Sequence, residues 1–251
     1  MNGLVHRAEP VLRLQDVGVS YQRRIGLFKR GRFWALRNVS FSLYHGESLG
    51  IIGRNGAGKS TLLKILAGII NPDRGQIQRA SLRAALLSLR IGFVPYLTGR
   101  ENAILSAMLM GIHRRQIEQA MDEVFAFAEL EEFIDQPLYT YSAGMRARLG
   151  FAVAFQSDPD ILLIDEVLGV GDADFKQKST ELMRKKILSD KTVVIVSHST
   201  SLIHNLCDRV VWIDRGESKR EGATDEILAL YSAQNPVTRP EKDAARKWHV
   251  I

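Results

Sequence analysis

Gly53-Arg54-Asn55-Gly56-Ala57-Gly58-Lys59-Ser60-Thr61 is the most informative stretch of this 251-residue chain. It follows a short apolar run, Ser48–Ile52, and leads into a helical pattern from about Gly58 to Ala67 that stops at Gly68. The stretch fits G-x-x-x-x-G-K-[ST] in full, and a strand before it and a helix after it are the context that the motif requires. Glycines at 53, 56 and 58 let the backbone turn around an anion with no Cβ in the way. The freed N–H groups, with Asn55 and Ala57 between the glycines, and the helix N-terminus ahead of Thr61 then aim at phosphates. Lys59 is expected to pair with β- and γ-phosphate oxygens, and Ser60 to ligate Mg²⁺.

A second stretch complements the first. Ile161-Leu162-Leu163-Ile164-Asp165-Glu166 is an apolar strand pattern ending in two carboxylates, which puts both acids at the carboxyl edge of a sheet, where open α/β folds bind ligands. Asp165 is expected to hold Mg²⁺ directly or through water, and Glu166 to act as general base toward an attacking water. Val193–Val196 is another continuous apolar run, as parallel strands buried on both faces require.

Around these motifs the chain reads as α/β. Val11–Tyr21 and Asn38–Tyr44 alternate as strands, and Asn71–Gly75 is a turn. From about Leu82 to Gln156 the pattern is mostly helical, with one helix over Asn102–Gly111 and an amphipathic second over Gln116–Phe127. The last 17 residues, from Asn235, are polar and read as a loose tail or short helix. Cys207, the only cysteine, excludes an internal disulfide and reads as a small buried hydrophobe. No apolar run approaches the ~18–20 residues of a membrane helix, and the first ten residues lack the apolar block of a signal peptide, which argues for the cytoplasm.

The net charge of +6 is unevenly placed. No acid lies between Asp16 and Glu47 or from Arg74 to Arg100, while acids concentrate over Glu118–Glu132. Such a split points to a surface facing anions or to a solvated positive face, and the charge alone leaves both open.

Three further stretches carry a resemblance. Tyr141-Ser142-Ala143-Gly144-Met145 opens an apolar helix about twenty residues before the acidic pair and resembles the L-S-G-G-Q signature of ABC ATPases. Ala143 stands for the first glycine and Met145 for the glutamine. Val196-Ser197-His198-Ser199 resembles the strand end that carries the family's switch histidine, a γ-phosphate sensor. Gly169-Val170-Gly171-Asp172 falls where the family has its S-A-L-D loop and keeps the aspartate, and Tyr21 matches the aromatic that stacks on adenine. The resemblance implies a P-loop ABC-ATPase core with an antiparallel β subdomain and a helical insertion. It covers nearly everything from Val11 to about Ala233, so residues 1–233 are expected to form one nucleotide-binding domain, helices inserted over about 88–157, with 234–251 as a tail. It implies ATP and Mg²⁺ as ligands, and a homodimer in which each ATP lies between one P-loop and the partner's signature. A polytopic membrane permease and a peripheral place on the cytoplasmic face of the bacterial plasma membrane follow from it too.

One departure and several strings refine this. The glutamine that the family places before its helical insertion is absent from Ser81–Leu97, where its expected position is Leu89. The stretch Gly92–Asn102, the string Asp165–Asp172 and Phe33-Trp34-Ala35-Leu36 resemble exporters of bacterial surface polysaccharides such as O-antigen, capsule or teichoic acid. Between Tyr21 and Asn38 a long connection interleaves Arg23, Arg24, Lys29, Arg30 and Arg32 with Phe28, Phe33 and Trp34. That composition suits an anionic lipid surface or a lipid-linked glycan diphosphate, at ~1 kcal/mol or less per charge before screening. The chain ends soon after the core, so no appended glycan-recognition domain is expected. Another cargo, such as a drug, lipid or peptide, is the alternative. A soluble ABC ATPase acting on ribosomes or DNA is a further one, against which stand the single cassette and the absence of zinc motifs or long coiled coils, so no nucleic-acid partner is expected.

Overall fold

The computed structural model describes residues 9–24, 30–87, 92–165 and 172–235. Glu166, Leu89, the 169–171 stretch and residues 25–29 lie outside them, as does the tail beyond 235. Among the described residues nine strands form one sheet: β1 (Leu12–Arg24), β2 (Arg30–Leu43), β3 (Ser48–Ile52), β4 (Arg74–Arg79), β5 (Ala84–Leu87), β6 (Ile161–Asp165), β7 (Thr192–Val196), β8 (Arg209–Asp214) and β9 (Glu217–Ala223). Their order is β4-β1-β2-β9-β8-β3-β7-β6-β5. From β8 to β5 the neighbours run parallel, and β4, β1 and β2 form an antiparallel wing.

The apolar runs explain the parallel part. Every residue of β3 and β7 is buried, and alternate side chains serve opposite faces. Leu49 and Ile51 join Val194, Val196, Ile161 and Leu163 on the face covered by α1 (Lys59–Leu66). On the other face Val193, Ile195, Leu162 and Ile164 meet α6 (Ala173–Ile187), α7 (Thr200–Leu206) and α8 (Thr224–Gln234).

A separate helical cluster packs α2 (Gly99–Leu109), α3 (Arg114–Gln119) and α4 (Met121–Ala128) against α5 (Ala143–Phe155). Helix α5 joins this cluster to the sheet, because Leu149, Ala152 and Val153 face the cluster while Phe151 and Ala154 face the sheet. Thr98 caps α2 with a full capping box through Glu101.

Three sequence expectations change. The stretch read as helical from Leu82 begins instead with β5, four residues paired in parallel to β6. Ala-Ala-Leu-Leu favours a helix locally, and the ladder to a buried neighbour overrides that preference. The amphipathic helix expected over Gln116–Phe127 is broken at Ala120, whose φ of −91° and ψ of 6° end α3 and start α4. The long connection between Tyr21 and Asn38 is largely a two-stranded ribbon, paired out to Arg24 opposite Arg30.

Candidate functional site

The loop after β3 lies at the carboxyl edge of the parallel strands, beside the ends of β6 and β7. Its geometry depends on glycine at 58, the N-cap of α1, which sits at φ 105° in the left-handed region. A Cβ there would also come within 2.5 Å of the Ala35 carbonyl oxygen and 2.6 Å of Leu36. Conformation and space both demand glycine, because the antiparallel wing presses directly on the loop. The turn between β8 and β9 secures the same contact, with Gly216 N–H donating to Ala57 O at 3.0 Å and Arg37 N–H donating to Gly216 O at 2.7 Å.

Lys59 is buried, and its ammonium donates to the carbonyl oxygens of Gly53 at 2.8 Å and Arg54 at 3.2 Å. The cation is thereby held across the mouth of the loop. Ser60 and Thr61 follow in the first turn of α1. Asp165 ends β6 opposite Val196 of β7, and His198 stands exposed two residues past that strand.

A cavity of about 590 Å³ joins these groups. Asn55, Gly56, Gly58, Lys59, Ser60 and Thr61 line one side, Asp165 and His198 another, and Tyr21, Phe33 and Ala35 the wing. Backbone donors, a buried ammonium and a hydroxyl and carboxylate within one concavity can hold a polyphosphate, with exposed rings at one end for a flat base. Ser60 and Asp165 are oxygen donors of the kind that Mg²⁺ takes.

Phe33 and Ala35 are the lining residues that sequence reasoning missed for this site. The signal was the two-residue period of β2, obscured because the region read as a loop.

Ser142, Ala143, Gly144 and Met145 are not among the residues lining that cavity. Ser142 is the N-cap of α5. Tyr141 anchors the approach: its hydroxyl donates to Phe133 O at 2.6 Å, and burial raises its pKa to about 12. Asp172 caps α6, its carboxylate accepting from Phe175 N–H at 3.0 Å.

A phosphate-cradling loop between β3 and α1, an acidic strand end, a strand-end histidine and an antiparallel wing that brings aromatic rings to the loop define an ATP-binding cassette. Residues 36–169 match the family of ABC transporters, and the chain belongs to that family. It is 43% identical over 218 residues to the O-antigen export system ATP-binding protein RfbB of Klebsiella pneumoniae, covering 87% of this chain and 89% of the relative. It is 46% identical over 197 residues to a protein of the same name from Myxococcus xanthus, of which it spans 45%. It is 41% identical over 203 residues to the Teichoic acids export ATP-binding protein TagH of Listeria monocytogenes, covering 81% of this chain and 60% of that one. Among solved structures it resembles a dimeric post-hydrolysis state of an ATP-binding cassette bound to ADP and Pi, with a TM-score of 0.67 and 25% identity over 85% of this chain and 98% of that one. The ATP-binding subunit of an ABC transporter shares the fold at a TM-score of 0.69 and 24% identity, covering 90% of this chain and 95% of that one. As a member of its family, the chain is an ATPase that binds ATP.

Proposed function

We propose that this ATPase, as a homodimer on the cytoplasmic face of a bacterial plasma membrane, powers export of a lipid-linked surface polysaccharide such as O-antigen through a separate polytopic permease. The observation that carries the chemistry is the shared cavity of Lys59, Ser60, Asp165 and His198. The cargo rests on the names of the relatives in Klebsiella and Listeria. No helix among the described residues is long and apolar enough to cross a membrane, which fits a subunit recruited by another.

In this reading residues 1–233 act as one nucleotide-binding unit, helices inserted over about 88–157, and 234–251 are a tail. The phosphates lie in the loop of Gly53, Asn55, Gly56, Ala57 and Gly58, with Thr61 beside them and the base at Tyr21. Lys59 leaves its carbonyl partners for the β- and γ-phosphate oxygens. Ser60 and Asp165 hold Mg²⁺, which supplies charge neutralisation at the phosphates when bound. Glu166 orients a water in line with the γ-phosphorus and accepts its proton as the bond to ADP breaks, and His198 meets the γ-phosphate. The partner copy closes the site with Ser142, Ala143, Gly144 and Met145, and Asp172 lies in the loop between the two sites. Support for this division comes from the signature residues standing outside the chain's own cavity and from the dimeric relative in complex with ADP and Pi.

The basic stretch of Arg23, Arg24, Lys29, Arg30 and Arg32 is assigned to an anionic lipid or the glycan diphosphate on its composition; Arg32, its side chain 63% exposed, also pairs with Asp73 at 4.0 Å. Two measurements test the whole. Glu166→Gln is expected to retain ATP, accumulate an ATP-bound dimer and lose nearly all phosphate release; near-normal hydrolysis assigns the base elsewhere. ATPase activity of the chain reconstituted with its permease should rise when the lipid-linked glycan is added, and the absence of any rise removes that cargo.

A further inference from the structure

We propose that Phe33 is a second aromatic wall of the base site, and that it sets nucleotide affinity together with Tyr21. This inference rests on the family's ATP binding and moves Phe33 from the lipid- or glycan-facing reading of its basic–aromatic stretch to the nucleotide site. In β1 and β2, Tyr21 and Phe33 are direct antiparallel partners. Side chains at such positions leave the same face of the sheet with Cβ atoms about 4.5–5.5 Å apart. Both rings line the cavity that holds Lys59 and Ser60. Both are partly exposed, at 41% and 50%, although most large apolar groups elsewhere in this wing, such as Leu14, Leu36 and Phe41, are buried. The exposed parts of two rings beside a phosphate loop offer a surface that a flat π-system can cover.

The local backbone makes this placement deliberate in form. The register slips between the pairs Val19–Leu36 and Ser20–Trp34, so Ala35 is the extra residue of a β-bulge. Ala35 is small, lines the cavity beside Phe33, and presses its carbonyl toward Gly58. Rings, then a small residue, then the phosphate loop run in sequence along one wall, in the order base, sugar, phosphate of a nucleotide. Trp34 points the other way and is occupied, with the Arg74 guanidinium 4.6 Å and that of Arg32 5.3 Å from its ring. Those contacts fix the ribbon's opposite face. Ser20 and Asp73 pin the strand next to Tyr21, the Ser20 hydroxyl donating to the Asp73 carboxylate at 2.7 Å and accepting from Arg32 Nε at 2.7 Å. The ring pair is therefore mounted on a braced ribbon, and the base it takes gains a sequence-tolerant stacking contact rather than a hydrogen-bond code.

The test compares Phe33→Ala, Phe33→Leu and Phe33→Trp in the Glu166→Gln background, measuring equilibrium affinity for ATP and for inorganic tripolyphosphate, a probe with phosphates and no base. Phe33→Ala and Phe33→Leu should lose roughly fivefold or more in ATP affinity, the scale of one base–aromatic stack. Their affinity for tripolyphosphate should stay at the parent value, and Phe33→Trp should restore ATP binding. Unchanged ATP affinity in Phe33→Ala overturns the proposal. Equal losses for ATP and tripolyphosphate also overturn it, since the residue would then be shaping the phosphate loop. Failure of the parent itself to bind ATP would count against the ATP site as a whole, and so is distinguishable from failure at Phe33.

Discussion

The hydroxyl of Ser142 accepts a hydrogen bond from the Met145 backbone N–H at 3.1 Å, and the Met145 sulfur accepts in return from the Ser142 N–H at 3.4 Å. This is a capping box in which a thioether replaces the usual glutamine or glutamate. It fixes the start of α5, the helix that joins the helical cluster to the sheet.

Because Ser142 stands outside the cavity formed by Lys59 of its own chain, the two residues should complement each other between copies. Lys59→Ala and Ser142→Ala are each expected to abolish most ATP hydrolysis. A heterodimer of the two variants pairs the intact phosphate loop of one copy with the intact signature of the other, restoring one of two sites under two-fold symmetry. Mixing them should recover measurable phosphate release, which neither has alone. An inactive mixture with confirmed heterodimers would mean that both residues act within one chain. Ser142→Ala should also cost about 1 kcal/mol of stability through the lost cap, read by urea unfolding.

The same capping box gives a second expectation. Sulfur is a weak acceptor, whereas an amide oxygen at the third helical position accepts well. Met145→Gln should therefore raise the melting temperature modestly without changing the fold. A lower melting temperature would indicate that the sulfur's packing against the helical cluster outweighs its poor hydrogen bonding.

Asp73 gives a pH signature to the ribbon that bears the ring pair. Hydrogen bonds from the Ser20 side chain and backbone, with the Arg32 charge nearby, hold its carboxyl below the ordinary carboxylate value of 3.8. A depressed folded pKa stabilises the fold above the unfolded value, and this contribution is lost as pH falls through the folded pKa. Asp73→Asn, which mimics the protonated acid, should melt earlier than the parent at neutral pH. The two curves should converge once the pH drops below the carboxylate range. A gap that persists unchanged into acid would assign the effect to shape rather than charge.

Legibility in the sequence followed burial and local chemistry. The phosphate loop, β3, β6 and β7 were readable because they combine fixed-spacing glycines with continuous apolar runs, and all but the last residue of β6 are buried. Strands β4 and β9 were not, because Arg-Gly-Gln-Ile-Gln-Arg and Glu-Ser-Lys-Arg-Glu-Gly-Ala expose nearly every side chain and show no alternation. Their pairing with β1 and β8 comes from tertiary ladders, which no local pattern announces. Phe33 was visible as an aromatic among basic residues, but its place at the cavity depends on the β1–β2 register and its bulge. The signature was legible as a motif, while its thioether cap is a consequence of one substituted residue whose geometry the motif does not carry.

Cys207 completes the comparison, since both its environment and its inertness were expected from its apolar context. Cys207, the C-cap of α7, is 8% exposed within the core cluster that includes residues of α7 and α8, and burial with the nearby Asp208 charge raises its pKa to about 12. The thiolate, the form that reacts with disulfide reagents, is therefore suppressed at any pH near neutrality. A Cβ at Gly50 would come within 3.2 Å of its sulfur, so there is little room for a reagent from the β3 side either. Thiol labelling of the native protein with an aromatic disulfide at about pH 8, where a free cysteine already reacts readily, should be slow. It should track the global unfolding rate and become fast in denaturant. Rapid labelling of the folded, ATP-bound chain would show instead that α7 opens locally.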